Sequence, residues 1–150
     1  MGGKRAEIAN LPAACQACGT QLGRRDSSGW VCATCGWRFG DLADADLPPV
    51  QVDVVYYLRF GDRIKIGTSH NPRGRLAQLR FDELLAFERG DRVLEQERHA
   101  QFADARYPGS EWFHSHKELT EHIRMLSQGV EDPWTLYYRW RSEALANRAF

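Results

Sequence analysis

Every cysteine in the chain falls inside one short window, and that window is too small to fold on apolar burial alone. Cys15, Cys18, Cys32 and Cys35 form two Cys-x-x-Cys-Gly knuckles, with thirteen residues between Cys18 and Cys32. A segment of about thirty residues buries too little core to be stable unaided. Whatever links these thiols therefore decides whether the segment folds. Two such knuckles suit a tetrahedral site of four thiolates. Gly19 and Gly36 let the backbone turn behind each pair so that its N–H groups approach sulfur. Two disulfides, or a redox Cys-x-x-Cys, are the other readings. Disulfides fit poorly with a chain that opens without a basic and then apolar export signal. A redox pair needs one knuckle opening a helix. The separation is slightly short for paired-knuckle zinc sites. A structural zinc ion supplies about 10–16 kcal/mol of apparent binding free energy, enough to fold such a piece. The expectation is a four-cysteine zinc ribbon over residues 12–40, with Trp30 and Trp37 as its aromatic packing.

Charge becomes informative only by segment, because twenty Lys and Arg balance twenty Asp and Glu. Residues 1–40 carry Lys4, Arg5, Arg24, Arg25 and Arg38 against Glu7 and Asp26, a net of +3. That suits a phosphate-contacting ribbon. A protein-docking or purely structural ribbon is the alternative. A chain 43% hydrophobic and 27% charged is neither disordered nor membrane-saturated. Its longest apolar run, Val54 to Leu58, is far too short to cross a bilayer. A soluble, cytoplasmic protein with no membrane partner is expected.

Residues 41–51, with Asp41, Asp44, Asp46 and Pro48-Pro49, read as an acidic, stiffened linker. Beyond it, residues 52–150 alternate short strand and helix patterns. Val52 to Phe60 and Arg63 to Thr68 form a hairpin about Gly61-Asp62. Asn71-Pro72 opens a helix whose buried side is Leu76 and Leu79. Glu83 to Glu88 reads as a strand, and Asp91 caps a helix running to about Ala105. Glu111 to Phe113 is a short strand. Ser115 with Glu118 predicts a capping box for a helix ending near Gly129. Asp132-Pro133 opens a last helix whose Trp134, Tyr137, Tyr138 and Trp140 read as a docking face on the core. The fold class is α+β, a short antiparallel sheet flanked by helices and preceded by the ribbon.

The two-residue turn fixes the hairpin register. Phe60 pairs with Arg63, Leu58 with Lys65, Tyr57 with Ile66 and Tyr56 with Gly67. Alternation places Val55, Tyr57, Ile64 and Ile66 on a buried face. Tyr56, Leu58, Lys65 and Gly67 share the other, with Tyr56 and Lys65 as diagonal neighbours. A phenol is a poor base at neutral pH, and a nearby ammonium favours the phenolate. An ordinary cross-strand Tyr–Lys pair is the alternative.

These residues resemble the GIY-YIG nuclease superfamily, in particular its phage-type branch. Val54-Val55-Tyr56 stands where the family has Gly-Ile-Tyr, and Lys65-Ile66-Gly67 where it has Tyr-Ile-Gly. Arg75 follows at the family spacing, then Glu95 and His99 on one helix, then Glu111-Trp112-Phe113. The resemblance covers residues 52 to 115. It implies metal-dependent hydrolysis of DNA phosphodiesters, with RNA not excluded. By position, Tyr56 would be the general base, Arg75 the stabiliser of transition-state charge, and Glu111 the ligand of Mg²⁺ or Mn²⁺. Lys65 would assist the base or contact phosphate, and His99 would orient neighbouring groups. Leu79 stands where many members have histidine, and no asparagine lies between Asn71 and Asn147. A catalytically inactive nucleic-acid-binding or adaptor protein on the same scaffold is the competing reading, as is a ribbon that recruits a protein partner. Residues 54–82 carry a net of +4 and residues 83–111 a net of −3, so the hairpin and first helix form a basic half. His70 reads as a loop residue near the site, and His114 and His116 lack a third metal ligand.

Overall fold

The computed structural model describes residues 7–15, 17–39 and 50–148. Residues 41–49 of the expected linker, with Lys4 and Arg5 of the basic N-terminal segment, lie outside the described residues. The chain divides into two compact units, one drawn from Met1–Val50 and Thr135–Phe150, the other Gln51–Trp134. Among the described residues, no helix is long and apolar enough to cross a membrane.

The first unit contains a three-stranded antiparallel sheet, β1 (Ile8–Asn10), β2 (Leu22–Asp26) and β3 (Gly29–Cys32), in that order. Gly29, at φ +121°, closes the β2–β3 turn, with Asp26 paired to it across the ladder. Trp37 is buried and packs edge-on to Phe39, ring centroids 5.9 Å apart. Trp30 is only half-buried, with the Arg25 guanidinium 5.8 Å from its ring. The ribbon's packing thus rests on one of the two expected tryptophans.

The second unit is a four-stranded antiparallel sheet in the order β6-β4-β5-β7. Its strands are β4 (Val54–Phe60), β5 (Arg63–Ser69), β6 (Glu83–Arg89) and β7 (Trp112–His114). Its helices are α1 (Pro72–Gln78), α2 (Arg92–Gln101) and α3 (Lys117–Ser127), with α4 (Pro133–Arg148) beginning at its end. The α+β class therefore holds. The hairpin forms in the expected register, Tyr56 opposite Gly67 and Leu58 opposite Lys65. Gly61, at φ +60°, supplies the left-handed residue the two-residue turn needs. Val55, Tyr57, Ile64 and Ile66 join Phe102, Phe113, Leu119 and Ile123 in one core, to which α2 and α3 contribute. Fully burying a side chain of this kind contributes about 1.5–3 kcal/mol, so the alternation of β4 and β5 fixes which face carries α2 and α3.

Three local expectations need correction. The helix from Asp91 ends at Gln101, and a single 3₁₀ turn (Ala103–Ala105) carries the chain on, because Phe102 turns into the core. The Ser115–Glu118 capping box does not form. His116 is the N-cap, without a side-chain cap bond, and its Nδ1 lies 3.1 Å from the His114 carbonyl oxygen. The last helix does not fall wholly with the sheet. Its first turn belongs there, Trp134 meeting Phe87 of β6 edge-on at 5.0 Å, whereas Thr135 onward groups with the N-terminal unit.

Buried on the core side is a polar cluster without an obvious signal in the sequence. The Tyr57 hydroxyl donates to Glu88 (2.8 Å) and lies 3.1 Å from His122 Nε2, while Arg98 donates twice to Glu88, at 3.0 and 2.6 Å. Burial opposes ionisation of Glu88. The His122 ring 3.7 Å away and the hydrogen bonds from Arg98 and Tyr57 outweigh it and hold the carboxyl down at about 2.

Candidate functional site

Tyr56 stands on β4, 1% exposed, on the sheet face opposite the core. Across the ladder Gly67 leaves the space its ring occupies, since a Cβ there would collide with the phenol. Burial raises the Tyr56 pKa above its ordinary 10.0; the nearby Arg75 guanidinium pulls the other way. The negative charges of Glu111 and Glu95 raise it further. Arg75 is delivered by α1, which starts as its sequence predicts. Asn71 Oδ1 accepts from the Gly74 N–H at 3.3 Å, and Pro72 occupies the first turn. Leu76 is buried beneath that helix, whereas Leu79 is only half-buried at its C-cap.

Lys65 finds its charge partner in Glu111. Its ammonium lies 3.7 Å from the Glu111 carboxylate and 5.7 Å from the Trp112 ring centroid. The cation bearing on the phenol is Arg75, and the net displacement of its pKa is upward. Glu111 reaches this place because β7 pairs with β5 and the Ile66 N–H donates to the Glu111 carbonyl at 3.1 Å. Its side chain is 45% exposed, so it can take a ligand from solvent.

His99 is buried, its Nε2–H donating to the Ile66 carbonyl oxygen at 2.8 Å and its ring 5.2 Å from Phe113. It ties α2 to β5. One turn earlier Glu95 is also buried, and burial, then the charge of Glu111, raises its pKa. Glu95, His99 and Glu111 line a cleft of about 450 Å³, flanked by Arg92 and Arg106. The sequence sets Glu95 beside His99 without a role for it, and gives Arg92 and Arg106 no motif of their own. Three- and four-residue spacing on α2 is the available signal for Arg92, Glu95 and His99. Arg106 is brought in by its bridge to Phe113, which no local pattern announces.

The basic half is narrower than its composition. Arg59 turns to Asp82 and Glu83, at 3.5 and 3.4 Å. Arg63, Lys65 and Arg75 remain on the side of the sheet that carries Tyr56.

In the first unit the four thiols converge. Their sulfurs all lie within 4.8 Å of one another, and all four residues are buried. Sγ of Cys15 is 3.7 Å from that of Cys35, and Sγ of Cys18 is 3.5 Å from that of Cys32. A tetrahedron with Zn–S bonds of about 2.3 Å has edges of about 3.8 Å, so the set fits a zinc ion. Gly19 and Gly36 take φ of +79° and +80°, and their N–H groups close the two knuckles onto the Cys15 and Cys32 carbonyls at 2.8 and 3.0 Å. The Thr20 hydroxyl, 3.1 Å from Cys18 and 3.4 Å from Cys32, adds a partner that the knuckle pattern does not announce.

A family model described as the T5orf172 domain matches residues 53–127, which spans the whole sheet and the cleft. The chain belongs to this family. The T5orf172 domain is a phage-associated, nuclease-like domain. Comparison with curated proteins gives no match, and comparison with solved structures gives none.

Proposed function

We propose that the T5orf172 domain of this chain is a metal-dependent endonuclease that hydrolyses DNA phosphodiester bonds by GIY-YIG-type chemistry. The supporting observation is the convergence of Tyr56, Arg75 and Glu111, from β4, α1 and the residue before β7, on one side of a basic sheet. Binding alone needs the cations but not a carboxylate beside them.

Tyr56 takes the proton of the attacking water. The Arg75 guanidinium, always charged and planar, both favours the phenolate and faces the negative charge that develops on phosphate. Glu111 offers an accessible carboxylate, with that of Glu95 close enough to raise the cost of two charges. Among the described residues the only ready-made group of three or more ligands is the cysteine set. One or two carboxylates suit Mg²⁺ or Mn²⁺, which keeps most of its water. Such an ion, when bound, would neutralise the phosphate and the leaving oxygen. Lys65 would hold Glu111 in place and offer a charge to the phosphate, and His99 would fix α2 against β5. The ribbon would hold zinc and add affinity for DNA or for a protein partner; Arg24 and Arg25 on β2 are exposed, whereas Arg38 is taken by Asp26 at 2.8 Å.

The test is nicking of supercoiled plasmid with Mg²⁺ or Mn²⁺ by wild type, Glu111→Ala and Tyr56→Phe. Metal-dependent nicking that both substitutions abolish is expected. Nicking unchanged in the variants would overturn the assignment of Tyr56 and Glu111 and point to a contaminant or another site, and DNA binding without cleavage by wild type would overturn the nuclease reading and leave a binding protein on this scaffold.

A further inference from the structure

The sheet face that carries Tyr56 does not end at the hydrolytic residues. Strand pairing continues it outward from Tyr56 and Gly67, through Leu58, Lys65 and Trp112, to Phe60, Arg63 and His114 at the edge. Here aromatic rings and cations alternate. The Lys65 ammonium lies 5.7 Å from the Trp112 ring centroid, and the Arg63 guanidinium 4.7 Å from that of Tyr107. Tyr107 in turn stacks on His114 with centroids 3.8 Å apart and planes 32° from parallel, and Phe60 meets Trp112 edge-on at 6.3 Å. None of these six side chains belongs to the buried core. Phe60, Arg63 and His114 are exposed, and Lys65, Tyr107 and Trp112 half-buried.

A half-exposed aromatic row is costly to leave in water unless something covers it. Its chemistry selects the cover. Two cations at strand spacing match consecutive phosphates, and flat rings between them match bases that are not paired. A duplex keeps its base faces stacked inside and offers such a surface only phosphates. Continuity with the Lys65–Glu111 pair puts this row next to the carboxylate.

We propose that Phe60, Arg63, Lys65, Tyr107, Trp112 and His114 form a stacking platform for a single-stranded nucleic-acid segment leading to the hydrolytic residues. This rests on the nuclease reading and names its substrate class: DNA with unpaired nucleotides beside the scissile bond. Arg63 and Lys65 hold the backbone; Trp112 and the Tyr107–His114 pair hold the bases.

The test is fluorescence anisotropy of the full chain with short labelled oligothymidylate and with a duplex of equal length. No Mg²⁺, Mn²⁺ or chelator is added, so neither cleavage nor loss of ribbon metal enters the readout. Wild type should prefer the single strand. Tyr107→Ala with His114→Ala, and separately Trp112→Leu, should weaken single-strand binding about 5- to 100-fold, as expected for loss of a base-stacking ring. They should change duplex binding less than about threefold. Tyr107→Phe and Trp112→Phe keep a ring and should bind as wild type, which separates lost stacking from misfolding. Equal affinity for both ligands, or variants that weaken both alike, would overturn the platform. A parallel arm with Mg²⁺ or Mn²⁺ tests the nuclease reading by itself. Single-strand preference without cleavage refutes hydrolysis and keeps the platform, whereas cleavage of duplex without single-strand preference does the reverse.

Discussion

Lys65 holds its ammonium 3.7 Å from the Glu111 carboxylate, across the pairing that sets Lys65 opposite Trp112. Glu111 is 45% exposed, so the ion pair adds little stability. Exposed pairs contribute about 0–1 kcal/mol. Its consequence is competition. A divalent ion taken up by Glu111 must share the carboxylate with a resident cation. Lys65→Ala should therefore shift the Mg²⁺ activation midpoint to lower concentration while lowering the maximal nicking rate about tenfold or more, the size expected for loss of one electrostatic stabiliser. Titrating Mg²⁺ against nicking rate separates the two effects. A midpoint that moves upward would mean that Lys65 positions Glu111 for the metal rather than competing with it.

Tyr56 should give the reaction a rising pH profile. Burial keeps the phenol protonated above its ordinary 10.0, and Arg75 only partly offsets this. The basic form is the phenolate, whose fraction grows about tenfold per pH unit below the pKa. Between neutral pH and about 9 the log of the rate should climb with a slope near one and without a plateau. Arg75→Ala removes the offsetting cation, so it should lower the rate at every pH and push any plateau further out of reach. A flat wild-type profile would remove Tyr56 from the role of base.

Gly67→Ala should disable the site more than it harms the fold. The added Cβ collides with the phenol of Tyr56, which is 1% exposed and has no room to retreat. Overpacking of this kind costs about 1–3 kcal/mol. Thermal unfolding should show that loss, and nicking should fall to the level of Tyr56→Phe. The same substitution at Gly61 tests something else, since nothing lies near its Cβ and only its φ of +60° resists a side chain.

Residues whose partners are set by local geometry were legible in the sequence. Gly61-Asp62 and strict alternation fixed the hairpin down to Tyr56 opposite Gly67, because a one-residue slip would invert every side chain. Asn71-Pro72 fixed the start of α1, and two Cys-x-x-Cys-Gly knuckles fixed the thiol cluster. The partner of Lys65 was not legible, because Glu111 arrives through β7, an edge strand of three residues placed by a long connection. The approach of Arg106 to Glu95 has the same origin, since Arg106 bridges Phe113 of β7. The Glu88 cluster escaped because its members sit on β4, β6, α2 and α3, and only the packed sheet brings them together.

That cluster predicts how the sheet unit responds to acid. Glu88 is held at about 2 against an ordinary value of 4.5, so its ionised form favours the fold. A depressed folded pKa gives stability that is full above the unfolded value and disappears as pH falls through the folded one. The window is therefore from about 4.5 down to about 2. The Glu88 side chain is only 14% exposed, so solvent screens it little. The linkage is then worth on the order of 3 kcal/mol. Glu88→Gln should lower the unfolding free energy by about that much at neutral pH, with the difference closing near pH 2. Urea unfolding at several pH values measures it. A constant difference across the window would mean that shape, not charge, carries the cluster.

Removing metal from the ribbon should divide the molecule's response. Four buried sulfurs within 4.8 Å of one another, released from their ion, would leave mutually repelling or unsatisfied thiols in a piece too small to hold them. Elemental analysis should find one zinc per chain, and Cys18→Ser or Cys32→Ser should lose it. Chelation should then abolish amide protection in β2 and β3. The sheet of β4 to β7 draws its core from Val55, Tyr57, Ile66, Phe113 and Leu119, none of them in the ribbon. Its amides should therefore stay protected. Hydrogen exchange with and without chelator reads both units in one sample, and loss of protection across β4 and β5 would show that the ribbon's metal supports the whole chain.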